Sequence, residues 1–131
     1  MRGLVVYESF FGCTRAVARA VSAGLTQSSS GVQVACVPVS GPAVDLLDVV
    51  LLVVGGPKHL LGMASTVSWA MESQYELRVL RGRPGSRRMV ADAGGPGLRR
   101  WLAALPTATR DVQAAVFDTR VPARVPGGRW A

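Results

Sequence analysis

The sequence predicts an α/β fold in which buried parallel strands alternate with helices. Three observations carry this expectation. Leu4-Val5-Val6-Tyr7 and Val49–Val54 are unbroken apolar runs rich in β-branched residues, as in strands covered on both faces. Between such runs, apolar residues recur at helical spacings of three and four. The order of these segments, buried strands alternating with helices, argues for a parallel sheet.

Leu4–Tyr7 reads as the first strand. Thr14–Leu25 reads as the first helix, with Val17, Ala20, Val21, Gly24 and Leu25 on one apolar stripe and Arg15 and Arg19 off it. After a Ser-rich loop, Val32–Val37 reads as a second strand. Pro38 to Pro42 is a turn region, and Ala43–Leu47 is expected to form a short helical turn. Val49–Val54 is the clearest strand, ended by Gly55-Gly56-Pro57. Ala64–Met71 reads as a helix with Trp69 on its buried side. The stretch 76–97 mixes Arg78, Arg81, Arg83, Arg87 and Arg88 with Gly and Pro and reads as an exposed loop, with Met89-Val90-Ala91 as a short strand. Leu98–Leu105 is a helix stopped by Pro106, and Val112–Phe117 is a fourth strand. The tail from Val121 to Ala131 shows no periodic pattern.

A length of 131 residues with 49% hydrophobic content suits one domain with a sizeable core. Two cysteines, Cys13 and Cys36, are too few for a disulfide scaffold and read as reduced thiols of a cytoplasmic protein. The run after Arg2 is too short for a secretory leader, and Val49–Val54 is far below the roughly 20 residues that span a bilayer. Net charge is +7, and residues 61–131 carry eleven arginines against five acids. A solvated Arg-rich surface is expected there. Contact with nucleic acid is disfavoured, because only Tyr75 and Trp101 flank the segment 78–100. An acidic redox partner is the alternative anionic contact.

The chemistry gathers at the joints. Ser9-Phe10-Phe11-Gly12-Cys13-Thr14 lies between the first strand and its helix. A helix start offers unpaired N–H groups and a positive dipole end, which suits a phosphate; Gly12 permits close backbone approach, and Ser9 and Thr14 add hydroxyls. Simple capping by Thr14 explains the same residues equally well. The loop is neither a Walker A sequence nor a GxGxxG turn. Cys13 and Arg19 have the C-x5-R spacing of cysteine phosphatases, but the residues between them read as helix, which carries Arg19 away from the thiol. His59 is the only histidine, and Asp45, Asp48, Asp92, Asp111 and Asp118 show no ligand spacing, so no metal site is expected.

At these joints the chain resembles flavodoxin-like proteins. "LVVYESFFGCTRAVARAVSAGL" looks like that family's first strand, Ser/Thr-x-Thr-Gly-x-Thr phosphate loop and amphipathic helix. "DVVLLVVGGPKHLLGMAS" looks like its third strand and Pro-Thr-His/Arg-x-x-Gly flavin loop, and "GLRRWLAAL" and "VQAAVFDTRV" resemble the next helix and strand. The resemblance covers roughly residues 3–66 and 97–121. It implies a three-layer fold with parallel strand order 2-1-3-4, a domain over residues 1–121 and an irregular tail over 122–131. It also implies a noncovalent flavin mononucleotide (FMN) serving electron transfer. By position, Ser9 and Thr14 and the amides of Phe10, Phe11, Gly12, Cys13 and Thr14 would hold the phosphate. Pro57, Lys58, His59, Leu60, Leu61 and Gly62 would border the ring, and Asp118, Thr119 and Arg120 would approach its other edge.

The chain departs from the family pattern at Phe11, which replaces a threonine, at Cys13, and at Lys58. Pro122, Pro126, Gly127 and Gly128 leave no helix after Phe117, so the fifth strand is expected to be missing. The fourth strand would then be a bare edge, implying a homodimer or partner contact there, or a marginally stable product. Two alternatives stand beside the electron carrier. One is a truncated interaction module that has lost flavin; the other is a quinone or porphyrinogen oxidoreductase of flavodoxin type, a choice the residues leave open.

Overall fold

The computed structural model describes residues 1–10, 12–28, 31–57, 97–107 and 111–120. In chain order the elements are β1 (Arg2–Tyr7), α1 (Cys13–Ser28), β2 (Gln33–Pro38), β3 (Val49–Pro57), α2 (Gly97–Ala103) and β4 (Gln113–Thr119). The helix expected over Ala64–Met71, the strand at 89–91, most of the Arg-rich stretch and the tail 121–131 lie outside the described residues.

The four strands form one parallel sheet in the order β2-β1-β3-β4. β1 is central, and Leu4, Val5 and Val6 are fully buried because each face of the strand is covered. Alternation along the strand splits the core in two. Leu4 and Val6 point to the face where Leu98, Trp101 and Leu102 of α2 pack, and Val5 and Tyr7 point to the face where Ala18, Val21 and Leu25 of α1 pack. The helices fall on opposite faces: α1 follows β1 on the way to β2 at one side of the sheet, and α2 precedes β4 at the other, the placement expected of parallel strands joined by right-handed crossovers. This is the three-layer α/β arrangement that the apolar runs predict.

Three local expectations are corrected. The buried stripe of α1 is Thr14, Ala18, Val21 and Leu25, whereas Val17, Ala20 and Gly24 face outward. In this phase Ala18, Val21 and Leu25 pack on the sheet, the Thr14 hydroxyl meets Thr119 of β4, and Ala18, with a single methyl, lets the helix approach the sheet. Residues 43–47 form no helix. Val44 and Leu46 lie in an irregular segment against the α2-side core, and Leu47-Asp48 makes the turn into β3. Arg2 anchors that segment through the Asp45 carbonyl and an ion pair of 3.0 Å with Asp48. Finally, Gly55-Gly56-Pro57 does not end β3. It continues the ladder with Phe117, Asp118 and Thr119 of β4.

Candidate functional site

The register sets where the joints meet. Tyr7 pairs with Gly55, Gly55 with Phe117, and Pro57 with Thr119, so β1, β3 and β4 end together at one edge of the sheet. The strand order reverses between β1 and β3, and in open parallel sheets ligands bind at the carboxyl ends of the strands at such a point. The Glu8 amide donates to the Gly55 carbonyl at 2.9 Å and the Val39 amide to the Tyr7 carbonyl at 2.8 Å, which holds the ends of β2, β1 and β3 in line.

Between β1 and α1 the chain makes a tight turn. Gly12 takes a φ of 94°, a left-handed conformation that side-chain-bearing residues rarely adopt. Its amide donates to Ser9 Oγ at 3.1 Å, and its carbonyl accepts the first helical bond, from Ala16, at 3.0 Å. Gly12 is therefore the residue at the helix boundary, and capping by Thr14 is corrected: the Thr14 hydroxyl bonds to the Thr119 hydroxyl at 2.7 Å. The first turn of α1 carries no acid, so the positive end of its dipole is not neutralised by a side chain of its own.

Among the site residues expected from sequence, Ser9, Phe10 and Thr14 are buried, and Gly12 is half-buried. Cys13, the first residue of α1, is exposed. Pro57 is half-buried at the end of β3, directly beside Thr119. Asp118 and Arg120 are both exposed and form an ion pair of 3.2 Å. Thr14 and Thr119 are thus brought into contact, and the expected convergence of the first, third and fourth strand ends is present. Phe11, Lys58, His59, Leu60, Leu61 and Gly62 lie outside the described residues. The Cys13–Arg19 pairing fails as a phosphatase constellation, because both residues sit on α1 about 9 Å apart along its axis. Arg19 instead lies near Cys36, where its charge offsets part of the rise in thiol pKa that burial causes.

Two residues of this edge were not singled out by sequence. Glu8 is 4% exposed and accepts the Leu98 amide at the start of α2; burial outweighs this bond and pushes its carboxyl above the usual range. The signal was present in the alternation of β1, which sends residues 4, 6 and 8 to one face. The other is Phe117, whose ring lies so close over Gly55 that a Cβ there would fall 2.0 Å from it. Gly55 therefore has a packing requirement in addition to its place in the β3–β4 ladder.

The chain matches no family model, no curated protein and no solved structure. No helix among the described residues is long and apolar enough to cross a membrane.

Proposed function

We propose that this chain is a flavodoxin-like protein whose β1–α1 turn receives the phosphate of FMN and which serves electron transfer. The observation that carries the reading is the meeting of that turn with the ends of β3 and β4 at the reversal point of the sheet. The phosphate end fits: a left-handed glycine brings backbone close, and the 16-residue helix behind it begins without an acid. Ser9 and Thr14 play an indirect part. Their hydroxyls shape the turn and tie it to β4, so the anion is met chiefly by backbone amides. Pro57 and the Asp118–Arg120 pair would flank the ring. When bound, the flavin supplies the redox chemistry, and the protein supplies orientation and electrostatics.

A second reading, an interaction module without flavin, draws on the same two hydroxyls being engaged within the protein. Titration with FMN separates the two. The first reading expects saturable quenching of flavin fluorescence with one site per chain and loss of binding in Gly12→Asp, which strains the turn and sets a carboxylate beside the anion. A folded wild-type protein that leaves flavin fluorescence unchanged would leave the second reading standing.

A further inference from the structure

We propose that β4 is the surface through which two copies of this chain pair, edge to edge and antiparallel, about a two-fold axis beside Val116. The proposal does not depend on flavin.

Within the described residues β4 is the outer strand, bonded to β3 on one side only. Its other edge carries a row of backbone donors and acceptors that matches another strand. Gln113, Ala114, Ala115 and Val116 are four consecutive exposed residues, and Val116, at 83%, is the most exposed large hydrophobic side chain described. Natural edge strands are protected by inward charges, prolines or bulges. β4 has no proline, its one charge, Asp118, lies next to its end, and its pairing with β3 runs without a bulge.

The strand is also complementary to itself. A two-fold axis normal to a sheet requires one residue to face its own copy, since opposed residues must point to the same side. Centring on Val116 sets valine against valine, two β-branched side chains suited to a pleated surface, at the most exposed point of the edge. Ala115 then faces Phe117, Gln113 faces Thr119 and Val112 faces Arg120. No charged residue meets its own kind. Asp118 and Arg120 already neutralise one another at 3.2 Å, so the edge has no net charge that would select a basic or acidic stranger. The apolar surface continues away from the edge. On the α2 face, Ala114 leads into a cavity of about 300 Å³ bounded by Leu46, Leu52, Leu105 and the largely exposed Leu47. On the α1 face, Gln113 borders another cavity, of about 410 Å³, beside Leu25, Val34 and Leu51.

Size-exclusion chromatography with light scattering over a dilution series, with and without FMN, is the test. The expected result is a dimer that dissociates on dilution. Val116→Lys, a change at an exposed position that should leave the circular dichroism intact and match the melting curve of dissociated wild type, sets two ammonium groups face to face and should give monomer throughout. In a Cys13→Ser background, oxidation should cross-link Val116→Cys through its own copy. It should not cross-link Ala114→Cys, whose copies lie roughly 13 Å apart along the strands. A wild-type monomer at every concentration would overturn the proposal. So would an undiminished dimer in Val116→Lys, equal cross-linking of the two cysteine variants, or a monomer whose β4 edge amides resist hydrogen exchange.

Discussion

Thr14 Oγ1 and Thr119 Oγ1 lie 2.7 Å apart, although 105 positions separate the two residues in sequence. This bond joins the start of α1 to the end of β4 and fixes the distance between two of the three chain segments at the candidate site. One hydroxyl donates and the other accepts, and Thr14 is almost fully buried. Thr14→Val leaves the Thr119 hydroxyl without this partner and should cost about 1 kcal/mol of unfolding free energy, as should Thr119→Val. The double variant should cost less than the sum. Urea unfolding of all four proteins in a double-mutant cycle measures the difference, and strict additivity would mean that the bond contributes nothing.

Phe117 explains why β3 carries glycine at position 55. A methyl there overlaps the ring, with the nearest carbon at 2.0 Å. Gly55→Ala should therefore destabilise by about 1–3 kcal/mol, the range for overpacking. Phe117→Leu, which removes the flat ring, should recover part of that loss in the Gly55→Ala background. Thermal melts of the three variants decide the matter; a Gly55→Ala protein as stable as wild type would show that the ring turns away at no cost.

Glu8 predicts an unusual pH dependence. Its folded pKa is raised, chiefly by burial, above the ordinary value of 4.5. The folded state then holds the proton more tightly than the unfolded state does. The stabilisation is complete below pH 4.5 and is lost as the pH rises through the folded value, so this group lowers stability between those two points. Glu8→Gln keeps an acceptor for the Leu98 amide but cannot ionise. It should equal or exceed wild type at alkaline pH and abolish this component of the slope above pH 4.5, read from melting temperatures. A wild-type slope retained in the variant would assign the effect to other groups.

The two thiols should separate by reactivity. Cys13 is exposed, whereas Cys36 is half-buried and its pKa is raised by burial, with partial offset from Arg19. Only the thiolate attacks. At pH 8 an aromatic disulfide reagent should titrate one thiol quickly and the second slowly, and Cys13→Ser should remove the fast phase. Arg19→Ala should slow the second phase further.

Much of the architecture was legible in the chain. β1 and β3 announce themselves because a strand buried on both faces must be apolar at every position, as Leu4, Val5 and Val6 are. The phase of α1 was less legible. Val17 and Ala20 are as apolar as the residues that turn inward, and the inward face also includes Thr14, whose contact with Thr119 no periodicity contains. The short helix expected at 43–47 failed for a related reason. Val44 and Leu46 are held by the core and by Arg2 rather than by helical hydrogen bonds.

By itself, then, the sequence determined which segments are buried strands, that a Gly-containing turn joins β1 to α1, and that the fold is α/β. These are local consequences of side-chain polarity and backbone freedom. Only the tertiary structure decided that β3 runs on through Pro57 to pair with Thr119, that Glu8 is buried at the start of α2, and that Val116 stands open on β4, the outer strand among the described residues. Each of these depends on which strands become neighbours and in what register, and that is set by crossovers and packing between residues far apart in the chain.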